Sequence, residues 1–219
     1  MSFKSLLKLV LCLVCAGGAA PADTLYSTFG PGDSFDGHYV QWIGDGAQVS
    51  QPYPSRQVAN RFTVPAGAEV TGYRVAISHF APSGHGQGQG LLSLWSGDAA
   101  PATTLESDIV VDTGDGAAII ASISSVLHPN LSPGVTYWLV LSAPAGELFR
   151  WYDAVAPMPA GSERLYRDDS LASWNMVGAS ANAFEVSGAL SGVPEPHAWL
   201  LFGSALGLTA AARVRRRAR

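Results

Sequence analysis

The chain of 219 residues has room for one domain of ordinary size with short appendages. Charged residues make up only 14% of it and hydrophobic ones 47%, with 24 Gly and 14 Pro, which excludes a disordered chain and argues for a packed, β-rich one. Residues 23–192 hold sixteen acids against six arginines and no lysine, a balance that repels phosphate and excludes a nucleic-acid-binding domain.

In chain order, Met1–Ala22 reads as a secretory signal peptide. Lys4 and Lys8 precede the apolar run Leu9–Cys15, and small residues follow up to Ala20-Pro21-Ala22. Small side chains at Ala20 and Ala22 suit a signal-peptidase pocket, so cleavage is expected between Ala22 and Asp23. The apolar run is too short to span a bilayer as a retained helix. Both cysteines, Cys12 and Cys15, lie inside this segment. The mature chain therefore has no disulfide, no zinc-thiolate site and no thiol nucleophile.

Residues 23–192 show no long apolar pattern at helical spacing. Short β-branched and aromatic runs predict strands at Thr24–Phe29, Val58–Val64, Val70–Ser78, Leu91–Trp95, Ala118–Ser124, Thr136–Ser142, Glu147–Tyr152 and Ala183–Leu190. Along Tyr73-Arg74-Val75-Ala76-Ile77 the odd positions are expected to face the core and Arg74 the water. Thr136–Ser142 is apolar on both faces, as in a central strand. The turn Ala143-Pro144-Ala145-Gly146 predicts a tight hairpin between the two strands that flank it. Eight strands at this spacing predict an all-β, jelly-roll-like sandwich. Ser187–Gly192 is expected to be a hinge that ends the domain.

Chemistry is sparse along this stretch. His38, His79, His85, His128 and His197 show no paired spacing for a metal. Gly84-His85-Gly86-Gln87-Gly88-Gln89-Gly90 lacks the Lys-Ser/Thr of a phosphate-binding loop and reads as a hairpin tip. Asp168-Asp169 and the run Asp108, Asp112, Asp115 have the texture of calcium loops, but Asp and Gly dominate plain turns as well. No metal or cofactor is assigned, and no catalytic constellation stands out. Trp42, Tyr53, Trp95, Trp138, Trp151, Tyr152 and Trp174 offer flat faces for stacking on sugars, with Trp138 expected in the core. Trp151-Tyr152 ends a strand, so at least one of that pair is expected to point away from the core.

The last stretch, residues 193–219, reads as an address. Val193-Pro194-Glu195-Pro196 precedes the apolar segment Ala198–Ala212 and then Arg213, Arg215, Arg216, Arg217 and Arg219. The 17 residues between Glu195 and Arg213 reach roughly 26 Å as a helix, near the lower limit for one transmembrane pass. The arginines are expected to stay in the cytoplasm and the acidic domain to face outward. Gly203-Ser204-Ala205-Leu206-Gly207 fits a close helix–helix contact, although small residues are also common in such tails.

In this order, tripeptide, helix and Arg-rich end resemble the PEP-CTERM sorting signal of Gram-negative bacteria that make extracellular polysaccharide. The resemblance implies recognition by exosortase, a membrane peptidase thought to process its substrates near the motif. His197 departs from the apolar or small residue more usual there. Val58–Ala66, Tyr73–Ser78 and Val135–Leu141 also resemble the choice-of-anchor sandwich domains carried by many such proteins. That likeness implies a fold and no activity.

The chain therefore divides into a signal peptide (1–22), a β-sandwich domain (23–192) and a sorting signal (193–219). The expectation is export through the inner membrane, transient anchoring by the C-terminal helix, then residence at the cell surface or in the extracellular matrix. A structural or matrix protein without catalytic activity of its own comes first. A carbohydrate-binding module for exopolysaccharide, with Trp151, Tyr152 or Trp174 stacking on sugar, comes second, and a polysaccharide hydrolase a distant third.

Overall fold

Alternation decides the longest strand. Tyr73, Val75 and Ile77 are all buried in one core and Arg74 lies on the opposite face, as a two-residue period requires. A computed structural model of the chain describes residues 22–44, 55–80, 88–112, 117–155, 157–168, 173–178 and 180–191, with the side chains of 108–112 set aside. These residues belong to one unit, Ala22–Ser191. The expected signal peptide and the sorting signal lie outside the described residues.

Among the described residues thirteen strands follow one another: β1 (Asp23–Ser27), β2 (Asp36–Gly44), β3 (Arg56–Thr63), β4 (Ala68–His79), β5 (Gly88–Ser96), β6 (Thr103–Asp112), β7 (Ile119–Ser124), β8 (Asn130–Leu131), β9 (Thr136–Ser142), β10 (Leu148–Asp153), β11 (Arg164–Asp168), β12 (Asn175–Gly178) and β13 (Phe184–Leu190). All eight predicted strands are among them, with ends shifted by a few residues. All pairings are antiparallel, and no helix occurs among the described residues. No helix there is long and apolar enough to cross a membrane.

The hydrogen-bonded order runs β1-β13-β4-β10-β2-β3-β9-β5-β6. Laid flat, β13 and β3 would stand four strand spacings apart, about 19 Å. Yet the rings of Phe184 on β13 and Phe62 on β3 are 6.0 Å apart, and Tyr26 of β1 lies 5.5 Å from Phe62. The sheet is therefore folded over on itself, sandwich-like. Its fold line is β2–β3, joined at one register pair, Gly44↔Arg56. Gly44 has φ 104, and a Cβ there would overlap the Glu147 carbonyl. Only glycine turns this corner.

One large core fills the fold, built around Ile43, Phe62, Tyr73, Ile77, Leu139, Phe149, Trp151 and Phe184. Two smaller clusters cover outer faces: Ala59, Trp138, Val140 and Leu165 on one side, and Ala76, Tyr152 and Ala183 under Phe29 and Phe35 on the other. As expected, β9 is central, paired with β3 and β5 and buried at six of seven positions.

Two expectations need correcting. Ala143–Gly146 does turn, with Glu147 N–H donating to the Pro144 carbonyl at 3.1 Å, but it closes no hairpin. β9 pairs β3 and β5 while β10 pairs β2 and β4, so the turn crosses between the two halves. Both edges of each strand are already taken, those of β9 by β3 and β5 and those of β10 by β2 and β4, so neither has an edge left for the other. Nor is Ser187–Leu190 a hinge. It is the end of β13, registered on β4 through Leu190↔Ala68, and Ser191 N–H bonds to the Gly67 carbonyl at 2.7 Å.

Candidate binding surface

Sugar stacking needs an aromatic face that meets water. Trp151 is fully buried and Tyr152 is 6% exposed, so neither can serve. Alternation does turn them to opposite faces, as a strand must. The outer face, however, is covered: Phe35 packs on Tyr152 at 5.3 Å, and the Tyr152 hydroxyl meets Ser78 Oγ at 3.1 Å. Trp138 is core, as expected. Trp174 is half-buried beneath the Arg167 guanidinium, 4.9 Å from its ring. Tyr53 lies outside the described residues.

The arginines organise the rest of the surface. Arg56 lies over Tyr166, Arg74 over Phe29, Arg167 over Trp174, and Arg150 over both Trp42 and Phe80. Stacking uses the faces of the guanidinium and leaves its N–H edge for other partners. Arg56 gives that edge to Asp168 at 2.8 Å, Arg74 to Asp33 and Glu185, and Arg167 to the Gln57 amide oxygen at 2.9 Å. Arg61 pairs with Glu163 at 3.0 Å and the buried Arg164 with Asp153 at 2.6 Å. Arg150 alone meets no acceptor among the described residues; its contacts are the two rings.

Two carboxylates are tied into the fold by hydrogen bonds. Glu106 of β6 is buried and accepts from Tyr73 Oη at 2.5 Å, from Ser125 Oγ at 2.7 Å, and from the backbone N–H groups of Val126 at 2.6 Å and Leu127 at 2.9 Å. Burial alone would push its pKa up; the hydrogen bonds from Tyr73, Leu127, Ser125 and Val126 together outweigh it and hold the carboxyl below its ordinary value. Nothing in the local sequence marks Glu106 as buried. Asp153 goes the other way: burial raises its pKa, and the Arg164 charge only partly offsets this. Asp153 also accepts from Asn182 Nδ2 at 2.9 Å, and Asn182 bonds to Asn60, so one polar network ties β3, β10 and β11 to the approach of β13.

The calcium readings fare unevenly. Asp168 is held by Arg56, whereas Asp169 and Asp115 lie outside the described residues, as do the side chains of Asp108 and Asp112. Among the described residues no three His, Cys, Asp or Glu gather as metal ligands. His79 Nε2 meets Glu147 at 2.7 Å, with its ring against Phe149 and the bare Gly88 backbone. His38 is exposed, His128 Nδ1 meets the Val70 carbonyl at 3.1 Å, and His85 and His197 fall outside the described residues.

No protein-family model matches the chain, and no curated protein does so either.

Proposed function

We propose that this is an exported, surface-sorted protein of the extracellular matrix, non-catalytic, whose tail is a PEP-CTERM signal processed by exosortase in a Gram-negative host. One observation supports it best. Among the described residues the sheet begins at Asp23 and its last hydrogen bond is made by Ser191. Cuts after Ala22 and near Val193-Pro194-Glu195-Pro196 would therefore leave every described strand whole.

The tail has a coherent physical logic. Pro194 and Pro196 fix φ and lack an N–H, which favours the extended backbone a peptidase groove can bind. Arg213–Arg219 stop translocation and hold the motif on the outer face of the membrane. The finer fold reading is a jelly-roll sandwich, supported by pairings between strands distant in sequence, β1 with β13 and β3 with β9. Glu195→Ala and deletion of Arg213–Arg219 test the sorting reading. Each is expected to leave an unprocessed or mislocalised form. If both variants match the native protein in mass and location, the sorting reading fails.

A second reading, carbohydrate binding, draws support from the half-buried aromatics Trp42 and Trp174, in place of Trp151 and Tyr152.

A further inference from the structure

In a unit with sixteen acids and six arginines, an arginine that meets no hydrogen-bond acceptor among the described residues is the exception that asks for a reason. Arg150 sits on β10, in register with Trp42 of β2 on one side and Ser78 of β4 on the other. Its guanidinium carbon lies 4.6 Å from the Trp42 ring centre and 5.0 Å from that of Phe80. The two rings meet edge to face at 5.5 Å, and all three side chains are half-buried.

Contact with two rings restrains the guanidinium, so less conformational freedom remains to be lost when its N–H groups are used. That edge is a rigid fork of N–H donors matched to a planar carboxylate. A partner carboxylate for a surface arginine is easily supplied from the same chain, as five other sites here demonstrate for carboxylate or amide acceptors. At Arg150 no such acceptor stands among the described residues, while two rings hold the side chain where it could receive one.

The surroundings narrow the ligand. The unit's strong negative charge disfavours a dense polyanion, but a single carboxylate feels that field only through screening of about 8 Å at physiological salt. The strand that carries Arg150 is paired on both edges, so it offers a peptide no backbone to extend. What remains is side chains alone: one fork beside two apolar rings. That set suits a ring with a carboxylate at one corner and C–H groups beside it.

We infer that Arg150, with Trp42 and Phe80, is a recognition site for a sugar acid, a monosaccharide unit carrying one carboxylate, free or within a polysaccharide of low charge density. The site is independent of the tail and rests on the carbohydrate reading only in taking the ligand to be a sugar.

Calorimetry on the full-length chain in neutral detergent, with glucuronate, glucose and acetate as probes, tests it. Glucuronate should bind roughly tenfold or more tightly than either glucose or acetate, and weaken as salt rises. Arg150→Gln should remove that preference, and Arg150→Lys should restore little of it, because lysine keeps the charge and loses the fork. A matched thermal-unfolding midpoint shows that each variant is folded. Glucose binding equal to glucuronate overturns the carboxylate site while sparing the carbohydrate reading. Acetate binding equal to glucuronate overturns the sugar assignment. No binding of any probe overturns the inference outright, as does glucuronate binding that Arg150→Gln leaves unchanged.

Discussion

Residues 23–191 hold six arginines and residues 193–219 hold five, and the two sets differ in what stands beside them. In the sheet unit five of the six are hydrogen-bonded to a carboxylate or an amide, and four lie over an aromatic ring. In the tail all five fall within seven residues, and the one acid, Glu195, stands eighteen positions before the first of them. A charge met by a partner fastens strands and adds little to the field beyond it. Charges clustered in sequence, away from any acid, suit the larger role proposed for the tail, setting the orientation of the chain across a membrane. By that contrast Arg150 belongs with neither set, being stacked like a fastener and left open like a signal.

The contrast breaks first at Arg164. Its side chain is 5% exposed and its partner Asp153 is 19% exposed, so Arg164→Ala strands a buried carboxylate. The expected loss is about 3 kcal/mol, measured by urea unfolding followed through tryptophan fluorescence. A loss below about 0.5 kcal/mol would mean the pair fastens nothing.

Glu106 gives the next largest effect. Glu106→Gln retains shape but forfeits a charged acceptor for Tyr73, Ser125 and two backbone N–H groups, an expected loss of about 2 kcal/mol. Its lowered pKa sets the sign with pH. The folded state binds the proton less readily than the unfolded chain. The contribution is therefore complete above the ordinary value of 4.5 and is lost as pH falls through the lower folded value. Unfolding midpoints between pH 6 and pH 3 should fall less steeply for Glu106→Gln than for the native protein. Parallel curves would place the acid sensitivity elsewhere.

Smallest of all are the changes that leave fastening untouched. Arg150→Gln should cost no more than about 1 kcal/mol, since it breaks no ion pair and loses only its two ring contacts. Deleting Arg213–Arg219 should leave the sheet's unfolding midpoint unchanged while changing where the protein is found. A large stability loss in either would erase the distinction between fastening and signalling arginines.

Sequence made the hydrophobic half of this architecture readable. Runs such as Tyr73–Ile77 and Thr136–Leu141 state their own period, and both strands lie where that period puts them. β2 escaped because its first half, Asp36-Gly37-His38, is polar and its side chains there are largely exposed. β6 escaped because Glu106 and Asp108 interrupt its apolar run and give it the look of an acidic loop. β11 is five residues long with three charged ones, and β12 is only four residues long. Partners across the fold were out of reach. Nothing near Glu106 announces Ser125, and Trp42 gives no hint that Arg150 of β10 and Phe80, just past β4, close on it. Trp151 and Tyr152 show the same limit. Their alternation is correct, but what covers the outer face, Phe29 and Phe35, arrives from another part of the chain.

The sorting account is tested most directly by the intact mass of the native protein recovered from its host. A chain that begins at Asp23 and lacks the Arg-rich end is the predicted result. A chain that still carries Arg219 would contradict the account, and the tail would then be a membrane anchor.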